Sequence, residues 1–396
     1  MLVQEATTMI VPTTAEVLVV GAGPAGLAAA CTLRANGVEV VVVDAAPEPS
    51  TSSRAIVIHS RTLEVMEGLG IVEGVLKEGL IIGEGLIRNR QGILGSIGFA
   101  ALKAKYPMVV SLAQADTERI LKQRLEALGG SVHRGAQVVK VSENEDGVLV
   151  EINTSDSTSY IQTQYVIAAD GRKSCIREQL GIPFEGGGYN HQFILADIRL
   201  LRTGPLRPDV FQEFLSPANL LLYIPLPRNI WRVVATVDHA TGEEDMSVFQ
   251  RLTDERAGPG VKIDEMMWSS RFRIQHGLAA RYRKGRVFLA GDAAHCHPPV
   301  GGQGMNIGIQ DGVRLSNILT EALHDGKTTE ADLDRYERER RPIAKDVVAL
   351  AHQGTVINTL ESPVLCVLRD WVIWALTKIP PVRYAIAYRL SGLGYA

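Results

Sequence analysis

Apolar and polar positions follow different periods along this chain, and the changes of period divide it. Residues EVLVV (16–20) form an apolar run, GAGPAG (21–26) breaks it, and LAAACTLRANG (27–37) resumes with helical spacing that a glycine ends. VEVVVVD (38–44) is a second apolar run. Strand, turn, helix and strand within about 30 residues predict a βαβ unit with two parallel strands. RTLEVMEGLG (61–70) and ADTERILKQRLEALGG (115–130) read as amphipathic helices with glycine stops, and a glycine-rich irregular stretch separates them.

From 138 to 165 the alternation is two-residue, around the turns NEDG and TSDS, which predicts an antiparallel meander. Four strand-like runs follow between Gln192 and Asp238: QFILADIRL, VFQEFL, NLLLYIPLP and WRVVATVD, with Pro and Gly between them. They predict a separate β-rich layer. The pattern returns to α/β at GRVFLAG (285–291) and becomes strongly helical through DLDRYERERRPIAKDVVALAHQ to an apolar segment around Trp371 and Trp374. No internal repeat is evident.

Composition narrows the function classes. The 396 residues leave room for two or three domains with a sizeable core, and 46% hydrophobic with 21% charged residues is the ordinary globular range. Lys and Arg total 41 against 44 Asp and Glu, a net charge of −3, so no broad positive field exists to hold a nucleic acid. Cys31, Cys175, Cys296 and Cys366 lie far apart and form no CxxC pair, which fits a reducing, cytoplasmic home. The first cation is Arg34, so neither a secretory leader nor a transit peptide is expected. The uncharged run Val17 to Leu33 approaches the ~20 residues of a membrane span. GAGPAG sits inside it, and a phosphate loop explains it better.

The chemistry begins at that loop. Gly21, Gly23 and Gly26 make GxGxxG between strand and helix, and Asp44 ends the second strand 18 residues after Gly26. Gly21 permits the tight turn, Gly23 lets backbone approach a pyrophosphate, Gly26 lets helix and strand pack, and Asp44 can accept ribose hydroxyls. This fingerprint predicts NAD or FAD and argues against an adenosine 2′-phosphate here. A second segment, YVIAADGRKSCIREQLGI (165–182), runs a strand into Asp170–Gly171, with Ser174 and Arg177 following on a short helix. In the third, GDAAHCHPPVGGQGMN (291–306), a strand ends at Gly291–Asp292, two prolines stiffen the loop, and a glycine-rich turn opens a helix. Such a loop can turn backbone N–H groups toward a flat, electron-rich ligand, with Asp292 placed to accept from ribityl hydroxyls.

These three segments, with SRAIVIHSRTLEVMEGLGI (53–71), LAQADTERIL (112–121) and YERERRPIA (336–344), occur in the order of the class A flavoprotein monooxygenases. The chain resembles that para-hydroxybenzoate hydroxylase-like family over nearly its whole length, and within it the phenol hydroxylase and aromatic polyketide hydroxylase branch. The resemblance implies an α/β fold: a Rossmann-like FAD-binding domain of the glutathione reductase type, a β-sheet-rich substrate domain and C-terminal helices. The expected boundaries are 1–80, 104–186 and 278–352 for the FAD domain, 81–103 and 187–277 for the substrate domain, and 353–396 for the helical end. It further implies that Gly21, Gly23, Pro24, Ala25, Gly26, Asp44, Arg54, Gln114, Asp170, Gly291, Asp292, Pro299, Gly301, Gly302, Gly304, Met305 and Asn306 bind FAD. Pro298 would lie against the isoalloxazine. The implied chemistry is reduction of FAD by NADH or NADPH, addition of O₂ at flavin C4a, and delivery of one oxygen atom from the hydroperoxide to an aromatic or polyketide-like small molecule, hydroxylation foremost.

Several readings stay open beside it. Tyr223 is a candidate to hold a substrate hydroxyl, against a core or cross-strand tyrosine. His59 is a candidate base, against a polar residue closing a turn. His295, Cys296 and His297 have the residue types of metal ligands, but two histidines at i and i+2 share no helix face, and no metal is expected. Ile56 stands where some phenol-oxidising relatives carry an activating polar group, which leaves epoxidation and Baeyer–Villiger insertion open. Gly277 and Arg314 stand where relatives often have Arg and Asn. A reductase or dehydrogenase on the same scaffold, or a flavoprotein without turnover, are the competing functions. The halogenase signature WxWxIP is absent, Trp231 standing alone. Longer members of this branch continue into a thioredoxin-like domain, which is not expected after LSGLGYA. For VLCVLRDWVIWALTKI (364–379) the expectations are packing over the FAD domain, a membrane-surface contact or a homodimer contact.

Overall fold

The computed structural model describes residues 11–50, 55–217, 219–237, 244–326 and 328–395. Arg54, an expected FAD contact, lies outside the described residues. The apolar runs near the start form the centre of an eight-stranded sheet. Strand Thr14–Val20 pairs in parallel with Val40–Asp44 on one side and with Thr158–Ala168 on the other. Val287–Leu289 and Val132–Arg134 extend this parallel run outward. Parallel strands are covered on both faces, which is why Val40–Val43 are all buried with no alternation. The 138–165 meander is present as strands Gln137–Asn144 and Gly147–Asn153, paired antiparallel onto Thr158–Ala168.

The helices pack onto this sheet through missing side chains. A Cβ at Gly312, in the long helix Gly304–Asp325, would overlap the carbonyl oxygen of Ala25 in the first helix, Pro24–Ala35. A Cβ at Gly308 would stand 3.5 Å from Ala25 Cβ. The two helices therefore run with backbones in near contact, and Ser316 Oγ donates to Ala29 O across them at 3.0 Å.

The second eight-stranded sheet carries all four expected strand runs, in Phe184–Arg202, Val210–Ser216, Asn219–Leu226 and Ile230–Val237. It also takes in Glu84–Asn89, Gly92–Gly98, Lys262–Ala279 and His295–Cys296, and is antiparallel except where Val210–Ser216 lies parallel to Glu84–Asn89. Alternation along Asn219–Leu226 divides its faces. Leu221 and Tyr223 join Phe214, Trp231 and Phe249 under the helix Met246–Arg256, whereas Ile224, Leu226 and Leu222 join Ile56, Ile82, Phe99 and Leu393 in a separate cluster.

The C-terminal helices Pro363–Thr377 and Pro380–Leu390 pack against strand Gly92–Gly98 of this second sheet, and the end of the second helix also meets residues of the expected FAD domain, where Ser391 O accepts from Arg61 N–H and Leu390 O from Gln303 Nε2. The hold on the sheet is local: Thr377 Oγ1 donates to Leu94 O, Asn89 donates to Asp370, and Ile373 joins the cluster of Phe193 and Leu220. No helix among the described residues is long and apolar enough to cross a membrane.

The helix contact gives a first prediction. Gly312→Ala gains helix propensity worth ~1 kcal/mol but forces Ala25 to move, at a cost of ~1–3 kcal/mol. Thermal unfolding should show a lower Tm for the variant; a higher Tm would mean that the helices separate without penalty.

Candidate functional site

Four neighbouring parallel strands, in the order Val287–Leu289, Thr158–Ala168, Thr14–Val20 and Val40–Asp44, end at the same edge of the first sheet. Their next residues are Gly291–Asp292, Asp170–Gly171, the GxGxxG turn and Asp44 itself. The register makes this exact to the residue, since Val20 pairs with Ala168, Ala168 with Leu289 and Val20 with Val43. The three segments singled out in the sequence thus converge on one crevice outside the carboxyl ends of the strands, where open α/β sheets bind ligands.

Each glycine of the first turn has a distinct surrounding. Gly21 has φ +105°, and a Cβ there would overlap Ala169 O. A Cβ at Gly26 would overlap Gly21 O. A Cβ at Gly23 meets nothing within 4 Å, so the bare backbone borders open space. Gly23 caps the first helix without a side-chain hydrogen bond, and Pro24 and Ala25 form its first turn, which presents N–H groups to that space. Asp44 Oδ2 accepts from Ala22 N–H at 2.6 Å and Oδ1 from Ala46 N–H at 2.8 Å, with Arg134 at 3.5 Å. A carboxylate has about four acceptor positions, so Asp44 can fasten the turn and still accept from a sugar.

Gln114 Oε1 accepts from Ala55 N–H at 3.2 Å and its Nε2 donates to Glu118, tying the helix Gln114–Ala127 to the segment after Arg54. Asp170 is the unusual carboxylate of the crevice. Burial raises its pKa, against hydrogen bonds from Ser174 and the Ile176 amide, and its Oδ1 is buried with no partner among the described residues. A buried acceptor left empty costs ~1–3 kcal/mol, which a ligand donor relieves. Open backbone at Gly23, an uncapped helix start and an orphaned acceptor at Asp170 fit a dinucleotide such as FAD.

The third segment is fixed from three sides. A Cβ at Gly291, φ +59°, would stand 2.9 Å from Ala25 Cβ, so the Gly–Asp turn rests on the first helix. Asp292 is exposed, Pro298 buried and Pro299 exposed. Asn306, fully buried beside Met305, donates to Val57 O and Gly302 O at 2.8 Å each and accepts from His59 N–H at 2.9 Å. His59 Nε2 donates to Gly301 O at 2.8 Å. His297 Nδ1 donates to Pro298 O at 2.7 Å, with its ring next to Gly304. The loop from 297 to 306 is therefore fastened by hydrogen bonds from His59, His297 and Asn306.

Two expected catalytic roles are corrected. Tyr223 is fully buried on the sheet face turned to helix Met246–Arg256, its hydroxyl 2.5 Å from Thr253 Oγ1 and its ring edge-on to Phe214 and Trp231. It is a core tyrosine because odd-numbered positions of its strand face away from the loop. His59 is fully enclosed, and burial lowers its pKa to about 4 despite the hydrogen bond to Gly301. A neutral ring of such low basicity is a fastener of the loop rather than a general base.

The sequence reading missed a buried ionic chain behind the loop. Asp311 Oδ2 lies 2.5 Å from His295 Nε2 and its Oδ1 accepts from Arg340 Nε at 2.6 Å, all three groups being buried. Burial alone would raise the Asp311 pKa, but Arg340, His295 and their hydrogen bonds together hold it below the ordinary value. His295 is thereby committed to a carboxylate rather than a metal, and among the described residues no group of three His, Cys, Asp or Glu side chains could hold one. The available signal was the one acid in the otherwise uncharged stretch GMNIGIQDGV. A second omission is Glu213, on the opposite sheet, whose carboxylate accepts from Asn358 Nδ2 at 2.6 Å. Burial raises its pKa to about 7, opposed by Arg369 and by the Asn358 hydrogen bond.

Comparison with known proteins agrees with this geometry. Residues 14–351 match the family model described as FAD binding domain. The chain is 33% identical over 340 residues to rifampicin monooxygenase of Streptomyces venezuelae, covering 84% of this chain and 69% of that protein. It is 32% identical over 395 residues to pentachlorophenol 4-monooxygenase of Sphingobium chlorophenolicum, covering 96% and 71%. Among solved structures, the anhydrotetracycline hydroxylase OxyS from Streptomyces rimosus superposes with a TM-score of 0.82 at 30% identity, covering 96% of this chain and 76% of that one.

Two predictions follow from the site itself. Gly23→Val, in open space, should leave Tm near that of the wild type while weakening FAD on the order of 10–100-fold, whereas Gly21→Val should unfold the turn and lower Tm. Flavin retention after gel filtration beside a thermal melt checks both, and a Gly23→Val protein that retains its full flavin content contradicts the assignment. His297, like His59, is held near 4, chiefly by burial, against about 6.5 in an unfolded chain. The unfolded chain therefore binds protons that the folded one refuses, and stability falls as pH drops from about 6.5 to about 4. Urea midpoints at pH 7 and 5 should show this loss, and His297→Asn should reduce it.

Proposed function

The chain belongs to the FAD binding domain family and is a flavin-dependent monooxygenase, and from that premise we propose how its residues divide the work on an aromatic or polyketide-like small molecule. FAD is its cofactor, and when bound supplies the activation of O₂ and the transfer of one oxygen atom, with NADH or NADPH as electron source. The observation that carries the reading is the meeting of three distant segments at one edge of the parallel sheet.

In this reading Gly21, Gly23, Pro24, Ala25 and Gly26 take the pyrophosphate against the helix start, and Asp44 takes the adenosine ribose. Gln114 and Asp170 line the middle of the crevice, and Asp170 Oδ1 gains the donor it lacks. Gly291 and Asp292 receive the ribityl chain. Pro298, Pro299, Gly301, Gly302, Gly304, Met305 and Asn306 form the backing of the isoalloxazine, kept in place by His59, His297 and the His295–Asp311–Arg340 chain. We assign residues 1–80, 104–186 and 278–352 to the FAD-binding unit, 81–103 and 187–277 to the substrate unit, and 353–396 to the helical end.

The even-numbered face of strand Asn219–Leu226, with Ile56 and Phe211, supplies an apolar roof opposite the loop. Such a roof excludes water from the reacting centre and accepts flat hydrophobic substrates. Hydroxylation is the reaction assigned. A cytoplasmic location fits the four unpaired cysteines.

The test uses the FAD-loaded protein, NAD(P)H and ¹⁸O₂ with a panel of pentachlorophenol, rifampicin and anhydrotetracycline. A turned-over ligand should raise NAD(P)H oxidation and gain one labelled oxygen atom. Peroxide release without label in the whole panel and in related phenols contradicts the reading in favour of a reductase. Asp292→Ala removes a charged acceptor, worth ~1.5–3 kcal/mol, and should weaken FAD or slow its reduction by on the order of tenfold.

A further inference from the structure

The sheet face taken above as the substrate roof carries a polar group that the cofactor reading does not use. Strand Val210–Ser216 places Phe211, Glu213 and Leu215 on one face, and Glu213 sits across from Leu222 and beside Ile87 of the parallel neighbour. Phe211, Leu222 and Ile87 pack in the cluster that holds Ile56 and Leu390. Leu390 in turn lies against Gly301, and Val57 against Gly302, so this cluster abuts the loop. The helix Arg335–Asn358 gives the distance. A Cβ at Gly354 would stand 2.7 Å from Val300 Cγ1, and Asn358, which binds Glu213, follows one turn later, about 6 Å along the axis.

The groups facing Glu213 are thus Phe211 and Leu215 on its own strand, Leu222 and Ile87 beside it, Asn358 from one helix, and Arg369, with its partner Asp370, from another. Arg369 is only 6% exposed. Its Nε and Nη2 engage Asp370 Oδ1 at 2.9 Å, yet its Nη1 is buried without a partner among the described residues. Glu213 keeps partial exposure in this apolar setting. A buried cationic donor left empty, next to a carboxylate with acceptor capacity to spare, is a costly arrangement unless a ligand completes it.

We propose that Glu213 and Arg369 form a two-point polar anchor for the substrate, Glu213 accepting from a ligand hydroxyl and Arg369 Nη1 donating to a carbonyl oxygen beside it. The substrate class is an aromatic compound with hydroxyl and carbonyl oxygens on neighbouring positions. Asn358 is a positioning residue that aims the carboxylate. This deepens the function proposed above and rests on it for identifying the pocket as the substrate's. Glu213 is poised near neutrality, so its charged form, the stronger acceptor, prevails above about pH 7 and is lost below.

The test is equilibrium binding to the FAD-loaded protein, without NAD(P)H, of 1-hydroxy-2-acetonaphthone and of 2-acetonaphthone, which lacks the hydroxyl. At pH 8 the hydroxyketone should bind roughly tenfold more tightly, and this preference should shrink at pH 6. Glu213→Gln should abolish both the preference and its pH dependence, with flavin content unchanged. Glu213→Asp should keep a reduced preference with the pH dependence intact, which a merely structural carboxylate would not do. Arg369→Lys should weaken both ketones. An undiminished preference in Glu213→Gln, or equal affinity of the two ketones for the wild type, overturns the anchor. The readout needs no turnover: the preference without labelled product sinks oxygenation alone, and labelled product without the preference sinks the anchor alone.

Discussion

Backbone-to-backbone contact at a handful of glycines is the constraint on which the rest depends. Gly21 presses on Ala169, Gly26 on Gly21, Gly291 on Ala25, and Gly308 and Gly312 on the first helix. Each contact removes the space that a Cβ would occupy, so neighbouring strand ends and two helices meet closer than side chains allow. Only then do Asp44, Asp170 and Asp292 border one crevice with the uncapped helix start between them.

The loop over this crevice belongs to both sheets. Its stem leaves strand Val287–Leu289 of the first sheet, and within it His295–Cys296 pairs with Gly277–Leu278 of the second. The absence of a side chain at Gly277 leaves room for the ring of Phe184, which a Cβ there would overlap. Behind the loop, Asp311 joins His295 to Arg340 and so links its stem to two helices. A loop backing fastened in this way suits a flat ring that must be held still while its other face reacts.

Local patterns made much of this legible. The βαβ unit, the four strands after Gln192 and the three glycine-bearing turns are short-range signals, because turn chemistry and period are written in neighbouring residues. What stayed hidden needed tertiary knowledge. Alternation separated Tyr223 from Leu222 but could not tell which face met the loop, and the structure turns Tyr223 away. His295 looked like a ligand because its partner, Asp311, lies on the following helix and Arg340 on a third element. Glu213 carries no local signal of its role, since its neighbours Asn358 and Arg369 arrive from helices about 150 residues later. Arg314 likewise finds its partner, Glu339, on a later helix, at 2.5 Å.

The convergence of three chain segments on a single flavin dinucleotide is tested most directly by hydrogen–deuterium exchange of the protein with and without one equivalent of FAD. The account predicts simultaneous slowing at residues 21–27, 169–176 and 291–306, saturating together at one FAD per chain. Protection confined to the first segment, or saturation at different FAD concentrations, would contradict it.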